Sequence, residues 1–115
     1  MTIAYYIDKE CKKALADLND AVEIEGQTAR ATVYLRNEDS SRFAITDIKF
    51  PDEVTDFSIE KGVLEPHEAT RLTFSMRMPY TDMDNEMIRL WLGLYTKKII
   101  TGIKVSGYRL EDVIR

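Results

Sequence analysis

Hydrophobic and polar residues alternate along much of the chain from Gln27 onward. In residues 28 to 36 the apolar phase consists of Ala29, Ala31, Val33 and Leu35. In residues 71 to 78 it consists of Leu72, Phe74, Met76 and Met78. Because successive side chains of a strand point to opposite faces, this period of two predicts a half-buried strand in each segment. Shorter strands are predicted at 22 to 24 and at 56 to 60, the latter with Phe57 and Ile59 pointing inward.

Residues 43 to 50 keep the period of two but change phase. One phase holds Phe43 and Ile45, and the other holds Ile48 and Phe50. This change predicts a β-bulge near Thr46-Asp47, or a move of the strand from one sheet to another.

The segment from residue 88 to residue 108 also favours strands. A central strand is predicted at 88 to 94, with an inward phase made of Ile88, Leu90, Leu92 and Leu94. Thr96-Lys97-Lys98 is then expected to form a hairpin turn into a last strand at 99 to 108.

The first 20 residues break this regularity. Thr2 to Ile7 is predicted to be a strand, whereas Asp8 to Leu18 spaces Cys11, Leu15 and Leu18 as on one face of a short helix capped by Asp8. Short strands separated by turns, without a long helical pattern, predict an all-β chain. We expect one immunoglobulin-like antiparallel β-sandwich of about seven to eight strands. It would span residues 21–109, between an N-terminal arm (1–20) and a C-terminal tail (110–115).

Three segments together resemble a known family. They are "EIEGQTARATVYLRNEDS", "ITDIKFPDEVTDFSIEKGVLEPHEATRLTFSMRMP" and "KIITGIKVSGY". In their order they are similar to immunoglobulin-like domains of the abnormal-spindle/Hydin type, relatives of the major sperm protein fold. The resemblance covers roughly 85 of the 115 residues. His67 stands where such domains usually carry Gly, and residues 1–20 have no counterpart. The family is non-enzymatic, so the resemblance implies a binding or assembly module without catalytic residues.

Composition narrows the classes of function. The net charge of −4 and the absence of any basic cluster larger than a Lys-Lys pair argue against a nucleic-acid-binding surface. The longest apolar run, at 90–95, is too short to cross a bilayer. The N-terminal residues lack the features of a signal peptide, so cytoplasmic folding is expected. The single cysteine excludes an internal disulfide.

Few residues suggest catalysis or metal binding. His67 lies in a predicted exposed turn without a partner for acid-base chemistry, and Cys11 is better explained as a small buried hydrophobe than as a reactive thiol. No enzyme activity, cofactor or small-molecule substrate is therefore predicted. The alternating carboxylates Asp82, Asp84 and Glu86 are a candidate cation site, although a solvated loop is the favoured interpretation.

A protein interface is the better supported kind of site. If residues 88 to 94 form a strand, Met87, Arg89, Trp91 and Tyr95 share its outer face, and Ile100 and Lys104 share the outer face of the next strand. These residue types are enriched in interface cores, so a Trp91/Tyr95/Ile100 patch framed by Arg89 and Lys104 is a candidate contact surface. The alternative is that the N-terminal arm, with Tyr5 and Tyr6, covers this patch within the same chain or pairs with a neighbour's sheet.

The functional hypothesis is a non-catalytic structural protein that acts by docking to other protein subunits. A phage virion component, such as a capsid decoration, neck or tail protein made in the host cytoplasm, is the leading interpretation. It could be homo-oligomeric or contact different virion neighbours. The alternative is a cytoplasmic adaptor that binds a peptide or filament through its sheet. Neither nucleic acid nor membrane is expected as a partner.

Overall fold

A computed structural model of the protein describes residues 3–110. In chain order, its elements are β1 (Ile3–Tyr6), a 3-10 helix (Leu18–Asp20), β2 (Val22–Glu25), β3 (Thr28–Asn37), β4 (Phe43–Lys49), β5 (Val54–Ile59), β6 (Val63–Leu64), β7 (Ala69–Arg77), α1 (Asn85–Gly102) and β8 (Lys104–Arg109). The described part of the chain is thus mostly β, and its strands pair in antiparallel fashion.

The larger sheet has β3 and β7 at its centre. Its order is β1-β3-β7-β5, and β2 also pairs with β3. The predicted apolar phases are confirmed, because Ala29, Ala31, Val33, Leu35, Leu72, Phe74, Met76 and Met78 are all buried. One face of this sheet therefore forms a wall of the hydrophobic core.

The smaller sheet has the order β6-β4-β8. The pairing of β4 with β8 is irregular between Ile45 and Asp47, which confirms the bulge predicted there. Gly107 sits opposite Ile45, and a Cβ atom at this glycine would lie 2.0 Å from the carbonyl oxygen of Ala44. Only glycine allows the two backbones to approach so closely at this position.

The strand predicted at 88–94 and the hairpin predicted at 96–98 are wrong, because both segments belong to α1. The buried side chains of this helix are Ile88, Leu92, Thr96 and Ile99, at the helical spacing of three or four residues. Leu90 and Leu94, expected to point inward, are 66% and 71% exposed. The carboxylate of Asp84 accepts a hydrogen bond from the backbone N–H of Met87 and so caps the helix.

The short helix predicted at 8–18 is also wrong. The carboxylate of Asp8 accepts hydrogen bonds from the backbone N–H groups of Lys12 and Lys13, which closes a turn instead of starting a helix. The chain then runs back beside β1, where Leu15 N–H donates to the carbonyl oxygen of Tyr5. Local side-chain hydrogen bonds have here replaced the helical ones.

The N-terminal arm completes the chain's own sheet. β1 pairs with β3, with Ile3 opposite Asn37 and Tyr6 opposite Tyr34.

The strands predicted at 22–24 and 56–60 are confirmed, since Val22–Glu25 and Val54–Ile59 are strands. Phe57, expected to point inward, is 47% exposed and packs against the ring of Phe50 with 4.6 Å between ring centroids. In the predicted tail only Leu110 lies within the described residues.

α1 shares its core with the larger sheet. Its inner face belongs to the same buried cluster as Leu18 of the 3-10 helix, Ile48 of β4 and the apolar residues of β3 and β7. The Oγ of Thr96 accepts a hydrogen bond from Leu18 N–H and donates one to the carbonyl oxygen of Leu92. One apolar face of the helix thus packs on the sheet, and the opposite face is exposed to solvent.

Candidate protein interface

The structure places the two candidate catalytic side chains in separate turns. His67 is exposed, and its backbone has a left-handed φ of 64°. Its backbone N–H donates to the carbonyl oxygen of Asn37, which holds the turn after β6 against the end of β3. This conformation explains why a glycine would fit the same position.

Cys11 lies in the turn closed by Asp8 and not on a helix face. Its side chain is half-buried, and its φ is 57°. Burial raises the pKa of the Cys11 thiol, and the neighbouring carboxylates of Asp8, Glu38 and Glu10 act in the same direction against Arg36. A thiol with a raised pKa is a poor nucleophile near neutral pH.

The three acidic residues at 82–86 have different roles. Asp84 caps α1, Glu86 lies in its first turn, and Asp82 adopts a left-handed φ of 62° in the loop before it. Within residues 3–110, no three histidine, cysteine or acidic side chains are grouped so that they could hold a metal ion. The spacing is therefore explained by the start of a helix, where acidic groups are favoured by the helix dipole.

The most prominent exposed apolar surface lies on the side of α1 that faces away from the core. We call Met87, Leu90, Trp91 and Leu94 the outer face of α1. Met87, Leu90 and Leu94 are 49%, 66% and 71% exposed, and Trp91 is half-buried. Spacings of three and four residues bring these side chains onto one stripe about two turns long.

Trp91 and Tyr95 extend this stripe toward the loop after β7. Their rings stack at 5.0 Å between centroids, and the Lys98 ammonium lies 5.6 Å from the Tyr95 ring centroid. A shallow groove of 390 Å³ begins here, and Tyr80, Pro79, Asp52 and Glu53 also line it. Lys98 is held in place by an ion pair of 2.7 Å with Glu53.

The structure separates the remaining residues of the predicted patch. Ile100 lies nine positions after Trp91, about 180° around the helix, and packs half-buried against the core. Arg89 faces the same side as Ile100 and contacts Asn19 of the 3-10 helix. Lys104 lies on β8, opposite Lys49 of β4. Arg89, Ile100 and Lys104 therefore do not form the one patch with Trp91 that the strand assignment predicts. Met87, Trp91 and Tyr95 do lie together along α1.

Tyr5 and Tyr6 belong to β1 and not to the surface of α1. Tyr5 packs against the core, and burial raises the pKa of its phenol. Tyr6 donates a hydrogen bond to Glu38. Within the described residues, neither ring forms a stacking contact with Trp91.

The period of two places Leu90 and Leu94 in the predicted core, so it does not identify them as surface residues. A helical signal was nevertheless present in the sequence. Asp84 is a favourable N-cap, and Ile88, Leu92, Ile99 and Ile103 repeat at helical spacing. On that basis Leu90 and Leu94 fall on the opposite side of the helix from these four residues.

Comparison of this chain with protein-family models, curated proteins and solved structures found no match. The resemblance to the abnormal-spindle/Hydin domains therefore stays a prediction. Among residues 3–110, no helix is both long enough and apolar enough to cross a membrane.

Proposed function

We propose that this protein is a non-catalytic interaction protein, which assembles with a protein partner through the outer face of α1. The observation that carries this proposal is the exposure of Met87, Leu90 and Leu94 on successive turns of one helix. Single exposed apolar residues are common on protein surfaces, but a continuous stripe of them is typical of a contact site.

The composition of the stripe supports the same conclusion. Trp91 and Tyr95 stack beside it, and large aromatic residues and Met are enriched in the cores of interfaces. The helix is anchored to the core through Ile88, Leu92 and Ile99, which are fully buried. A rigid helix loses little conformational entropy when it docks, so its apolar surface can contribute efficiently to binding.

The more specific expectations stay predictions. We propose that the two antiparallel sheets are a variant of the immunoglobulin-like sandwich in which α1 occupies the sequence position expected for a late strand. A place in a phage virion is an interpretation of the sequence, as is the alternative role as an adaptor. Both use docking as their mechanism, and they differ in the partner, which is a neighbouring virion subunit in the first and a peptide or filament in the second.

A photo-crosslinking amino acid at position 94 tests the proposal in cells that make the protein. We expect one discrete adduct, which mass spectrometry identifies and which disappears when Leu90→Glu is added. The matched control places the same probe at Tyr108, which is 45% exposed on β8. The proposal is contradicted if position 94 gives no adduct, or if positions 94 and 108 give the same adducts.

A further inference from the structure

We propose that the partner of the outer face of α1 is the same face of a second copy of this chain, with the two helices antiparallel across a twofold axis. This inference rests on the proposed function and names the partner. It follows from the charges at the two ends of the apolar stripe. Their arrangement is self-complementary, because a twofold axis brings each charge beside one of opposite sign.

The apolar centre fits such a pairing. Leu90 and Leu94 are one turn apart on the same stripe. A twofold axis that passes between them brings Leu90 of each copy beside Leu94 of the other. Met87 and Trp91 then flank this contact on one edge, so the most exposed large apolar side chains of the helix become the centre of the interface.

The charges at the two ends of the stripe have opposite signs. Glu86 precedes it and Lys97 follows it, and both side chains are exposed. They are eleven residues apart, about three turns, so they lie within about 20° of each other around the helix. Among the described residues neither forms an ion pair. Both charges are therefore available on one edge of the stripe.

An antiparallel pairing uses these charges twice. The axis that sets Leu90 beside Leu94 also sets Glu86 of each copy beside Lys97 of the other, on the same edge of the interface. A parallel pairing would instead set Glu86 level with Glu86 and Lys97 level with Lys97, on opposite edges of the interface. Neither charge would then meet one of opposite sign, so the charge pattern selects the antiparallel arrangement.

Sedimentation equilibrium of the purified full chain tests the apolar centre. The wild type should reach a mass of twice 13.3 kDa as its concentration increases. Leu94→Glu should weaken self-association by about 100-fold or more, since it places a charge in the centre of the contact. Tyr108→Glu, on an exposed site of β8, should leave it unchanged. Circular dichroism checks that each variant keeps its fold.

A charge exchange tests the antiparallel geometry. Glu86→Lys alone brings two ammonium groups together at each end of the interface, and Lys97→Glu alone brings two carboxylates together there. Each variant should therefore self-associate about 10-fold more weakly than the wild type. Mixing the two variants restores two opposite-charge pairs, and a mixed dimer should form with near wild-type affinity. Glu86→Gln controls for the loss of a favourable charge in the first turn of the helix.

Three results would overturn the inference. The first is a wild type that remains a monomer at all concentrations, and the second is a dimer that Leu94→Glu leaves intact. The third is a mixture of the two charge variants that associates no better than either alone. If the wild type is a monomer and the probe at position 94 forms an adduct with a different protein, the inference fails and the proposed function stands. If no adduct forms either, both fail.

Discussion

Asn37 brings an uncharged amide into the core at the end of β3. The residue is fully buried, and its Nδ2 group donates to the carbonyl oxygens of Ser41, Leu64 and Glu65 at 2.8, 3.2 and 3.3 Å. Its Oδ1 atom accepts from the backbone N–H of Asp39. One side chain thus satisfies backbone groups in the turn after β3 and at the end of β6, which is how a buried polar residue can specify a fold.

Asn37→Asp should reduce the free energy of unfolding by about 2–4 kcal/mol, because the same shape without the amide donors leaves buried carbonyl groups unpaired. Urea denaturation at neutral pH measures this loss. Asn85→Asp is the matched control and should change stability by less than about 0.5 kcal/mol, since Asn85 is exposed in the first turn of α1. Equal stability of the two variants would show that the amide is not essential.

His67→Gly should increase the free energy of unfolding by about 0.5 kcal/mol, because glycine adopts the left-handed φ of 64° without strain but is more flexible when unfolded. His67→Val should decrease it by about 1–2 kcal/mol, since a β-branched residue disfavours this conformation. Thermal and urea denaturation of both variants measure the difference. If glycine destabilises as much as valine, side-chain contacts of His67 outweigh its backbone strain.

At the scale of elements, α1 is defined by which of its faces the sheet covers. Ile88, Leu92, Ile99 and Ile103 reach the core, whereas Leu90 and Leu94 do not. The cap at Asp84 and the hydrogen bond from Gln27 Nε2 to the carbonyl oxygen of Met83 fix where the helix begins. Thr96 joins the middle of the helix to the 3-10 helix through Leu18 N–H.

Thr96→Val should destabilise the protein by about 2 kcal/mol, because it leaves the buried Leu18 N–H without an acceptor while preserving shape. Thr96→Ser keeps the hydroxyl and should cost only about 1 kcal/mol for the lost methyl group. Hydrogen exchange separates the two effects. The Leu18 amide should exchange faster in the valine variant only, and equal protection in both variants would contradict the assigned hydrogen bond.

At the scale of the whole molecule, hydrogen bonds and ion pairs stabilise the ionised form of several carboxyl groups in the folded protein. Backbone N–H groups of Lys13 and Lys12 lower the pKa of Asp8. The Lys98 ammonium lowers the pKa of Glu53, and the Lys61 ammonium together with the Glu65 backbone N–H lowers the pKa of Glu68. When a carboxyl pKa is lower in the folded than in the unfolded protein, the folded protein binds fewer protons than the unfolded protein as the pH decreases.

Stability should therefore be highest above the unfolded carboxyl pKa values and should fall as the pH decreases below about 5, through the lowered folded values. The combined variant Asp8→Asn, Glu53→Gln, Glu68→Gln should be less stable than wild type at pH 7, and the difference should shrink toward acid. Urea denaturation across pH measures both curves. The control Glu10→Gln, Glu23→Gln, Glu25→Gln changes exposed carboxylates that make none of these hydrogen bonds. A constant offset between wild type and the combined variant would contradict the assignment.

Much of the β architecture could be predicted from the sequence, because a strand with one buried face alternates apolar and polar residues along the chain. The alternation in residues 28–36 and 71–78 predicts the buried faces of β3 and β7, and the phase change in residues 43–50 predicts the bulge in β4. The candidate site was only partly predictable. The residue types of Trp91 and Tyr95 indicate an interface, but the period of two predicts that they lie on a strand and not on a helix.

The sequence alone defines which segments alternate, since this pattern depends on neighbouring residues along the chain. It did not decide residues 85–102, because Ile88, Leu90, Leu92 and Leu94 satisfy a period of two while Ile88, Leu92, Ile99 and Ile103 satisfy the helical period. Burial against β3 and β7 selected the second set. That choice is a matter of tertiary packing, and it turned Leu90 and Leu94 from expected core residues into the exposed centre of a surface.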